Sequence, residues 1–282
     1  MKTIHARSLA HSVIDWLATA RHPRVLHVFD DACNLIDENR DVISIVNPRI
    51  GNGPFSCVID PELFFPEYMD AQTPISVQSN HIQLGDLLIS TDHATRWNPR
   101  PNWERLHANK ENISNLSVHF PARSLPVGLS IHHSLFPIHL IPTLSSSLTH
   151  ADLPTAKQTT SKLAGLGPGL TPSGDDILMG AMYAVWIIHP PEVASVLGSE
   201  VAETASALTT SLSAAWLRSA GRGEAGHLWH QLFDAMLTGE NIQSKINNIL
   251  AVGHTSGADA LTGFMGVLTC WVESMNKETA VL

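Results

Sequence analysis

The sequence predicts an α+β protein in which a β-rich domain, barrel-like or sandwich-like, is followed by a helical, bundle-like domain. Short β-prone runs bounded by Asn, Asp, Pro or Gly recur between about residues 20 and 125. From about residue 126 onward, apolar residues instead recur every three or four positions, which is the spacing of one helix face. We therefore expect domains at residues 1–125 and 126–282, in keeping with roughly 150 residues per domain.

The N-terminal domain is expected to begin with a short helix over residues 7–20, since Leu9, Val13 and Trp16 share one side of such a helix. Beyond Pro23, five runs have the length and composition of strands: RVLHVFD, DVISIVN, FSCVID, ISVQS and DLLIS. The segment GNGPF lies between two of these runs. Its Gly and Pro residues suit either a turn or a loop that faces a ligand.

The C-terminal domain shows helical periodicity over three segments, Val201–Trp216, Leu228–Met236 and Ile242–Leu250. Gly239 and Gly253 lie just past the second and third segments, where glycine commonly ends a helix. Short connections between such helices are typical of a bundle. The polar segment 145–160 is weakly patterned and is either a loop or a helix that faces solvent.

The composition excludes several classes of function. With 17 Lys and Arg against 26 Asp and Glu, the net charge is −9, which disfavours binding to nucleic acid or to an anionic membrane. The longest uninterrupted apolar run, 181–188, is far shorter than the roughly 20 residues that span a bilayer. The N-terminus lacks the apolar stretch of a signal peptide. Three widely spaced cysteines form neither a disulfide framework nor a zinc pattern, so we expect a cytoplasmic protein.

The most informative segment is GLGPGLTPSGDD, residues 165–176. Its glycines and prolines exclude a regular helix or strand interior, and an apolar helical pattern follows from Ile177. Thr171 suits the N-cap of this helix, with Pro172 at its first position. A glycine-rich loop that leads into a helix presents unpaired N–H groups and the positive end of the helix dipole, and both suit an anion.

A second helix start repeats the first. The pattern S-G-x-D-x-L-x-G-x-M begins at Ser173 and again at Ser256. Gly180 and Gly263 occupy equivalent places in it, although glycine inside a helix costs about 1 kcal/mol relative to alanine. We therefore expect a pseudo-symmetric pair of helices that cross at these glycines, so that their first turns face one shared pocket.

The residues of the two helix starts form the candidate site. The candidates for binding a substrate or anion are Gly167, Gly169, Thr171, Ser173, Gly174, Asp175, Thr255, Ser256, Gly257 and Arg218. The candidate catalytic residues are Asp176, Asp259 and His254. Arg218 is included because a guanidinium can bind a carboxylate or phosphate in a bidentate manner. Ser, Gly and Asp are also ordinary capping residues, so a purely structural role for each start remains the alternative.

The acidic residues restrict what an anion site can be. Carboxylates beside a phosphate repel it unless a cation intervenes or an N–H group must be recognised. Either Mg²⁺ bridges Asp176 and Asp259 to the phosphate, or the acids accept hydrogen bonds from an amide or carbamoyl NH₂. His254 is then a candidate for proton transfer. The spacing predicts no dedicated protein-held metal site and no other cofactor.

The segments GLGPGLTPSGDDILMG and ILAVGHTSGADALTGF together resemble the AllH family. TTSLSAAWLRSAGRGE, GNGPF and DLLISTDHATRWNP extend the resemblance over most of the chain. It implies a subunit of oxamate carbamoyltransferase, which exchanges oxamate and carbamoyl phosphate with oxalurate and phosphate in allantoin breakdown. It further implies companion subunits and small anionic substrates. No catalytic residue is carried over from the family beyond the motifs themselves.

Two other functions fit the same residues. The chain can be a non-catalytic assembly or regulatory subunit whose glycine-rich loop docks a partner. It can also be a metal-dependent hydrolase that uses the acidic pair with His254. Loss of association rather than chemistry in loop variants identifies the first alternative, and a stoichiometric transition metal identifies the second.

Overall fold

The computed structural model describes residues 1–116 and 136–279. They form two compact units, Met1–Pro99 and Arg100–Leu282. The first unit is a nearly closed strand barrel and the second consists of helices, which confirms the predicted α+β class. The predicted domain boundary at residues 125/126 lies among residues outside the described part, whereas the compact units divide at Pro99.

Nine strands form the sheet of the first unit. They are β1 (Lys2–Ala10), β2 (Arg24–Val28), β3 (Ala32–Ile36), β4 (Val42–Val46), β5 (Ser56–Asp60), β6 (Ile75–Gln78), β7 (His81–Leu84), β8 (Leu87–Ser90) and β9 (Thr95–Trp97). Their order is β2-β3-β4-β5-β1-β8-β7-β6, with β9 paired to β1. β1 runs antiparallel to β5 and parallel to β8 and β9, and β4 runs parallel to β5.

The chain begins with a strand rather than with the expected helix. Residues 7–10 belong to β1, and helix α1 covers only His11–Thr19. The physical reason is that buried and exposed residues alternate along β1: Ile4 and Ala6 are buried, and their neighbours in the chain are exposed. This period of two is that of a strand. GNGPF forms part of the connection from β4 to β5, and its Asn52 accepts a hydrogen bond from Ser8 of β1. This arrangement accords with the turn interpretation of that segment.

Ten helices are described in the second unit. They are α2 (Trp103–Ala108), α3 (Lys110–Leu116), α4 (Leu140–Thr149), α5 (Leu153–Leu163), α6 (Ser173–Ile188), α7 (Pro191–Ser206), α8 (Ser211–Gly221), α9 (His227–Thr238), α10 (Ile242–Leu250) and α11 (Ser256–Thr279). α6 is buried along almost its whole length and forms the centre of the bundle. None of the described helices combines the length and the apolar character that a membrane-spanning segment needs.

Two helix boundaries, near Thr210 and near Asp152, were not predicted from the sequence. The periodic segment Val201–Trp216 is not one helix, because Thr210 caps a new helix by accepting a hydrogen bond from the Ser213 N–H. The polar segment 145–160 forms the end of α4 and most of α5, separated by a turn in which Asp152 caps α5. In both places a polar residue caps a new helix, Thr210 within an apolar pattern that looks continuous and Asp152 within a segment that shows little helical pattern.

Candidate functional site

Helices α6 and α11 cross with their backbones in contact at two equivalent glycines. A Cβ on Gly180 would lie 1.7 Å from the carbonyl oxygen of Ala260, and one on Gly263 would lie 1.9 Å from that of Ile177. Ala260 and Ile177 are themselves equivalent positions of the repeated pattern. Any side chain larger than hydrogen would therefore separate the helices. The predicted pseudo-symmetric crossing is confirmed.

The repeat also includes the helix before each start. A Cβ on Gly174 would lie 1.9 Å from the carbonyl oxygen of Leu163 at the end of α5, and one on Gly257 would lie 1.8 Å from that of Ile249 near the end of α10. The N–H of Gly174 donates to the Leu166 carbonyl, and that of Gly257 donates to the Val252 carbonyl. In both helix pairs, α5–α6 and α10–α11, the second helix thus begins against the end of the first, although the connection 164–172 is longer than the connection 251–255.

The first turn of α6 differs from the sequence prediction. α6 begins at Ser173 with Pro172 as its N-cap, and no side chain caps it. Thr171 is therefore not the cap. Its hydroxyl instead lies 3.0 Å from the Ser256 hydroxyl at the start of α11, which joins the two helix starts directly. Because the loop extends through Pro172, the Thr171 side chain is free to reach across to the other helix.

Asp175 holds the glycine-rich loop in place. Its Oδ1 accepts a hydrogen bond from the Gly165 N–H at 2.8 Å, and its Oδ2 accepts from Ser213 at 2.7 Å and from Thr209. The residue is 1% exposed. Both oxygens of this predicted binding residue are thus engaged by the protein itself. Thr209 and Ser213 were missed from the sequence, because their role depends on α8 packing beside α6.

Asp176 and Asp259 are buried at the crossing with unpartnered oxygens. Asp176 is 5% exposed and Asp259 is 0% exposed. Oδ2 of Asp176 and both carboxyl oxygens of Asp259 have no hydrogen-bond partner among the described residues. The nearby hydroxyls of Ser173 and Thr255 favour the ionised form of Asp259 but do not complete a hydrogen bond of good geometry. Such unsatisfied buried groups are costly, and they occur at sites that serve a ligand or a reaction.

Burial changes the acidity of both carboxyls. Desolvation raises the pKa of Asp176 well above its ordinary value, and the neighbouring charges of Asp259 and Asp175 raise it further. The hydroxyls of Ser256 and Thr171 oppose this shift without cancelling it. Desolvation likewise raises the pKa of Asp259. Both carboxyls therefore bind a proton more tightly than an exposed aspartate does, which favours a role in general acid and base catalysis.

The glycine-rich loop offers backbone donors to solvent. Residues 166–169 are exposed, and Gly167 and Gly169 adopt φ values of 117° and 95°, which favour glycine. A Cβ on Gly167 would lie 2.7 Å from the Ser173 nitrogen, whereas Gly169 has open space around it. Within the described part of the chain, the amides of Gly167, Gly169 and Thr171 donate to no protein acceptor. Unpaired amides of this kind suit an anion, and an anion-binding role for these residues remains a prediction.

The remaining predicted residues lie at different places. His254 is exposed in the turn that precedes α11, next to the half-buried Thr255. Arg218 is half-buried in the last turn of α8. Arg222, four residues further along the chain, forms an ion pair with Glu224 at 2.8 Å. The structure thus brings together the hydroxyls and carboxyls of both helix starts, while a binding role for Arg218 and a catalytic role for His254 remain predictions.

The described residues do not form a protein-held metal centre. Within residues 1–116 and 136–279, no three His, Cys, Asp or Glu side chains are grouped so that they can hold a metal ion. Asp176 and Asp259 therefore fit Mg²⁺ only if a ligand, such as a phosphate, completes its coordination shell. The hydrolase alternative, in which the protein itself holds a transition metal with the acidic pair, gains no support from this arrangement.

Two sequence families match the chain in separate segments. Residues 163–268 match the family described as oxamate carbamoyltransferase subunit AllH. Residues 5–96 match the AllH family N-terminal domain. The first match contains both helix starts and their crossing, and the second covers most of the barrel unit. No solved structure matches the chain.

Proposed function

We propose, from the premise that this chain belongs to the AllH family, that it takes part directly in carbamoyl exchange between oxalurate and phosphate. Its family is described as a subunit of oxamate carbamoyltransferase, so the chain works with companion subunits. The observation that carries a direct role is the pair of buried, unpartnered carboxyls of Asp176 and Asp259 between two helix starts. A purely structural crossing gains nothing from two uncompensated acids.

The proposed reaction requires one bond to form and one to break. A phosphate oxygen attacks the terminal carbamoyl carbon of oxalurate, and the bond from that carbon to the oxamate nitrogen breaks. The nitrogen takes up one proton and leaves as the amide of oxamate, while the carbamoyl group remains on phosphate. The site must hold two anions, polarise the carbonyl oxygen and supply a proton to the nitrogen.

The described residues match these requirements. The unpaired amides of Gly167, Gly169 and Thr171 suit the phosphate, because they precede the positive end of α6. Asp176 and Asp259 suit the carbamoyl or amide N–H groups, and their raised pKa values allow one carboxyl to deliver the proton. Asp175 fixes the loop rather than binding substrate. His254, exposed beside the second start, is assigned to proton transfer or carbonyl polarisation.

Reconstitution tests this function. The chain is assayed for oxalurate-dependent formation of carbamoyl phosphate from phosphate, first alone and then with its companion subunits. Activity that appears only in the mixture and disappears when this chain is omitted supports the proposal. No activity in any mixture, with all proteins folded and associated, contradicts it. In that event a different acceptor or a non-catalytic role must be tested.

The non-catalytic alternative is favoured by one observation. Asp176 and Asp259 are almost completely buried, so a substrate reaches them only if the helix starts or the loop move. If the chain serves assembly alone, substitutions in the glycine-rich loop weaken association with companion subunits and leave the turnover of assembled enzyme unchanged. If the chain is catalytic, loop variants that still assemble have lower turnover.

A further inference from the structure

We infer that one end of the barrel unit is the docking surface for a companion subunit that presents apolar side chains surrounded by basic ones. This inference rests on the proposed function only in requiring that companion subunits exist, and it concerns a surface with no part in the chemistry. The surface, called here the barrel-end patch, is defined by Phe29, Ile50 and Phe64.

The topology of the sheet places these three residues at the same end. Phe29 lies in the hairpin between β2 and β3, and β4 ends opposite that hairpin because Val46 pairs with Ala32. Since β5 runs parallel to β4, the segment after Asp60 emerges at this end as well. Ile50 closes a turn directly after β4, and Phe64 follows β5.

A buried hydrogen-bond network fixes the three segments to one another. The side-chain amide of Asn47, 1% exposed, donates to the Asp31 carboxylate and to the Leu63 carbonyl, each at 2.8 Å. Its own oxygen accepts from the Leu63 N–H at 2.9 Å. The Phe65 N–H donates to the Asp30 carbonyl at 3.2 Å. The patch is therefore preorganised, so that binding does not have to order these loops.

The exposure of the three side chains is unusual for this unit. Phe29 is 44% exposed, Ile50 43% and Phe64 49%. Apart from Met1, no other large hydrophobic residue of Met1–Pro99 is exposed to this degree. Apolar surface that is concentrated at one place and held rigidly is typical of a protein interface, where aromatic residues contribute most of the binding energy.

The charges around the patch indicate what kind of partner fits. Asp30 adjoins Phe29, while Glu62 and Glu67 flank Phe64, and all three acids are exposed. The nearby Arg49 is already paired with Asp31. A second copy of this chain would bring the same acidic rim against this one, which is repulsive. A companion subunit with basic residues around an apolar centre complements the rim.

Binding measurements with purified companion subunits test the inference. Affinity is measured by sedimentation or calorimetry for the wild type, Phe29→Ala, Phe64→Ala and the double variant. The control is Val196→Ala on α7, where an apolar residue that is even more exposed, 56%, lies outside the patch. We expect each phenylalanine variant to lose at least tenfold in affinity, while the control stays within about twofold of the wild type.

A charge variant distinguishes the contribution of the acidic residues around the patch from that of its apolar centre. Glu62→Lys is expected to slow association with the companion subunit, and the effect should shrink as salt is raised. Unchanged affinity in the folded double variant overturns the inference, as does a wild type that binds no companion subunit. Loss of self-association alone, with companion binding intact, assigns the patch to a second copy and also overturns it. Because the readout is binding, these outcomes are distinct from a failure of the carbamoyl exchange reaction.

Discussion

Replacing Gly180 by alanine places a methyl group at the tightest point between α6 and α11. The new Cβ would lie 1.7 Å from the Ala260 carbonyl oxygen, whereas ordinary van der Waals contact begins at 3.4 Å. The helices must therefore separate by about 1.7 Å, the difference between these two distances, in a close-packed core. Alanine favours the helix by about 1 kcal/mol relative to glycine, but overpacking of this kind costs about 1–3 kcal/mol or more. We expect a net loss of about 2–4 kcal/mol once the contacts along the separated crossing are included.

Thermal and urea unfolding, followed by circular dichroism and tryptophan fluorescence, measure this loss. For a domain of this size, about 1 kcal/mol corresponds to a Tm shift of roughly 2–4 °C, so Gly180→Ala should lower Tm by about 5–15 °C. The matched control is Gly266→Ala on α11, whose Cβ would lie 2.6 Å from the Ser145 hydroxyl and at an ordinary 3.8 Å from Ile141 and the Ser145 Cβ. That side chain can rotate away, so the control should change stability by less than about 1 kcal/mol. Equal stability of Gly180→Ala and Gly266→Ala would show that the backbones of α6 and α11 leave room for a methyl group at Gly180.

Three further predictions concern the buried polar groups. The folded state raises the Asp259 pKa above its ordinary value of 3.8, so wild-type stability falls as pH rises from 3.8 to the folded pKa. Asp259→Asn lacks this titration, and its Tm relative to that of the wild type should therefore rise from pH 4 to pH 8. A relative Tm that falls over this range would contradict the expectation. Asp175→Ala should cost about 2–4 kcal/mol in urea unfolding, because it leaves Ser213, Thr209 and the Gly165 N–H without their acceptor. Burial raises the pKa of Cys33 and Cys57 to about 12, so a thiol reagent at pH 8 should modify the less buried Cys270 of the native protein first. Modification of Cys33 or Cys57 before Cys270 would contradict their burial.

The sequence was most informative where a local pattern had one physical explanation. Glycines at equivalent places in two apolar helices predict a close crossing, and Gly180 and Gly263 lie at that crossing. Short β-prone runs bounded by Asn, Asp, Pro or Gly likewise predicted a β-rich N-terminal domain, and the first unit is a strand barrel. Each copy of these patterns spans only a few residues of one helix or strand, so the patterns can be recognised without knowledge of the tertiary structure.

Features that depend on distant parts of the chain were not predictable. Residues 7–10 carry helix-compatible spacing, but pairing of β1 with β5, β8 and β9 makes them a strand. Threonine is a residue type that is favoured at N-caps, yet the Thr171 hydroxyl contacts that of Ser256, which is remote in sequence. The burial of Asp176 and Asp259, and hence their raised pKa values, arises only from the packing of α6 on α11.

The most direct test of a catalytic role for the helix crossing is the turnover of two conservative variants. Asp176→Asn and Asp259→Asn are assayed in the reconstituted mixture for carbamoyl phosphate formation, with Asp152→Asn as control, because asparagine also caps a helix. Removal of a general acid or base typically costs 10²–10⁴-fold. We predict a fall in kcat of at least about 100-fold in one or both variants, with the control unchanged. Rates within about twofold of wild type in both folded, assembled variants would contradict the account.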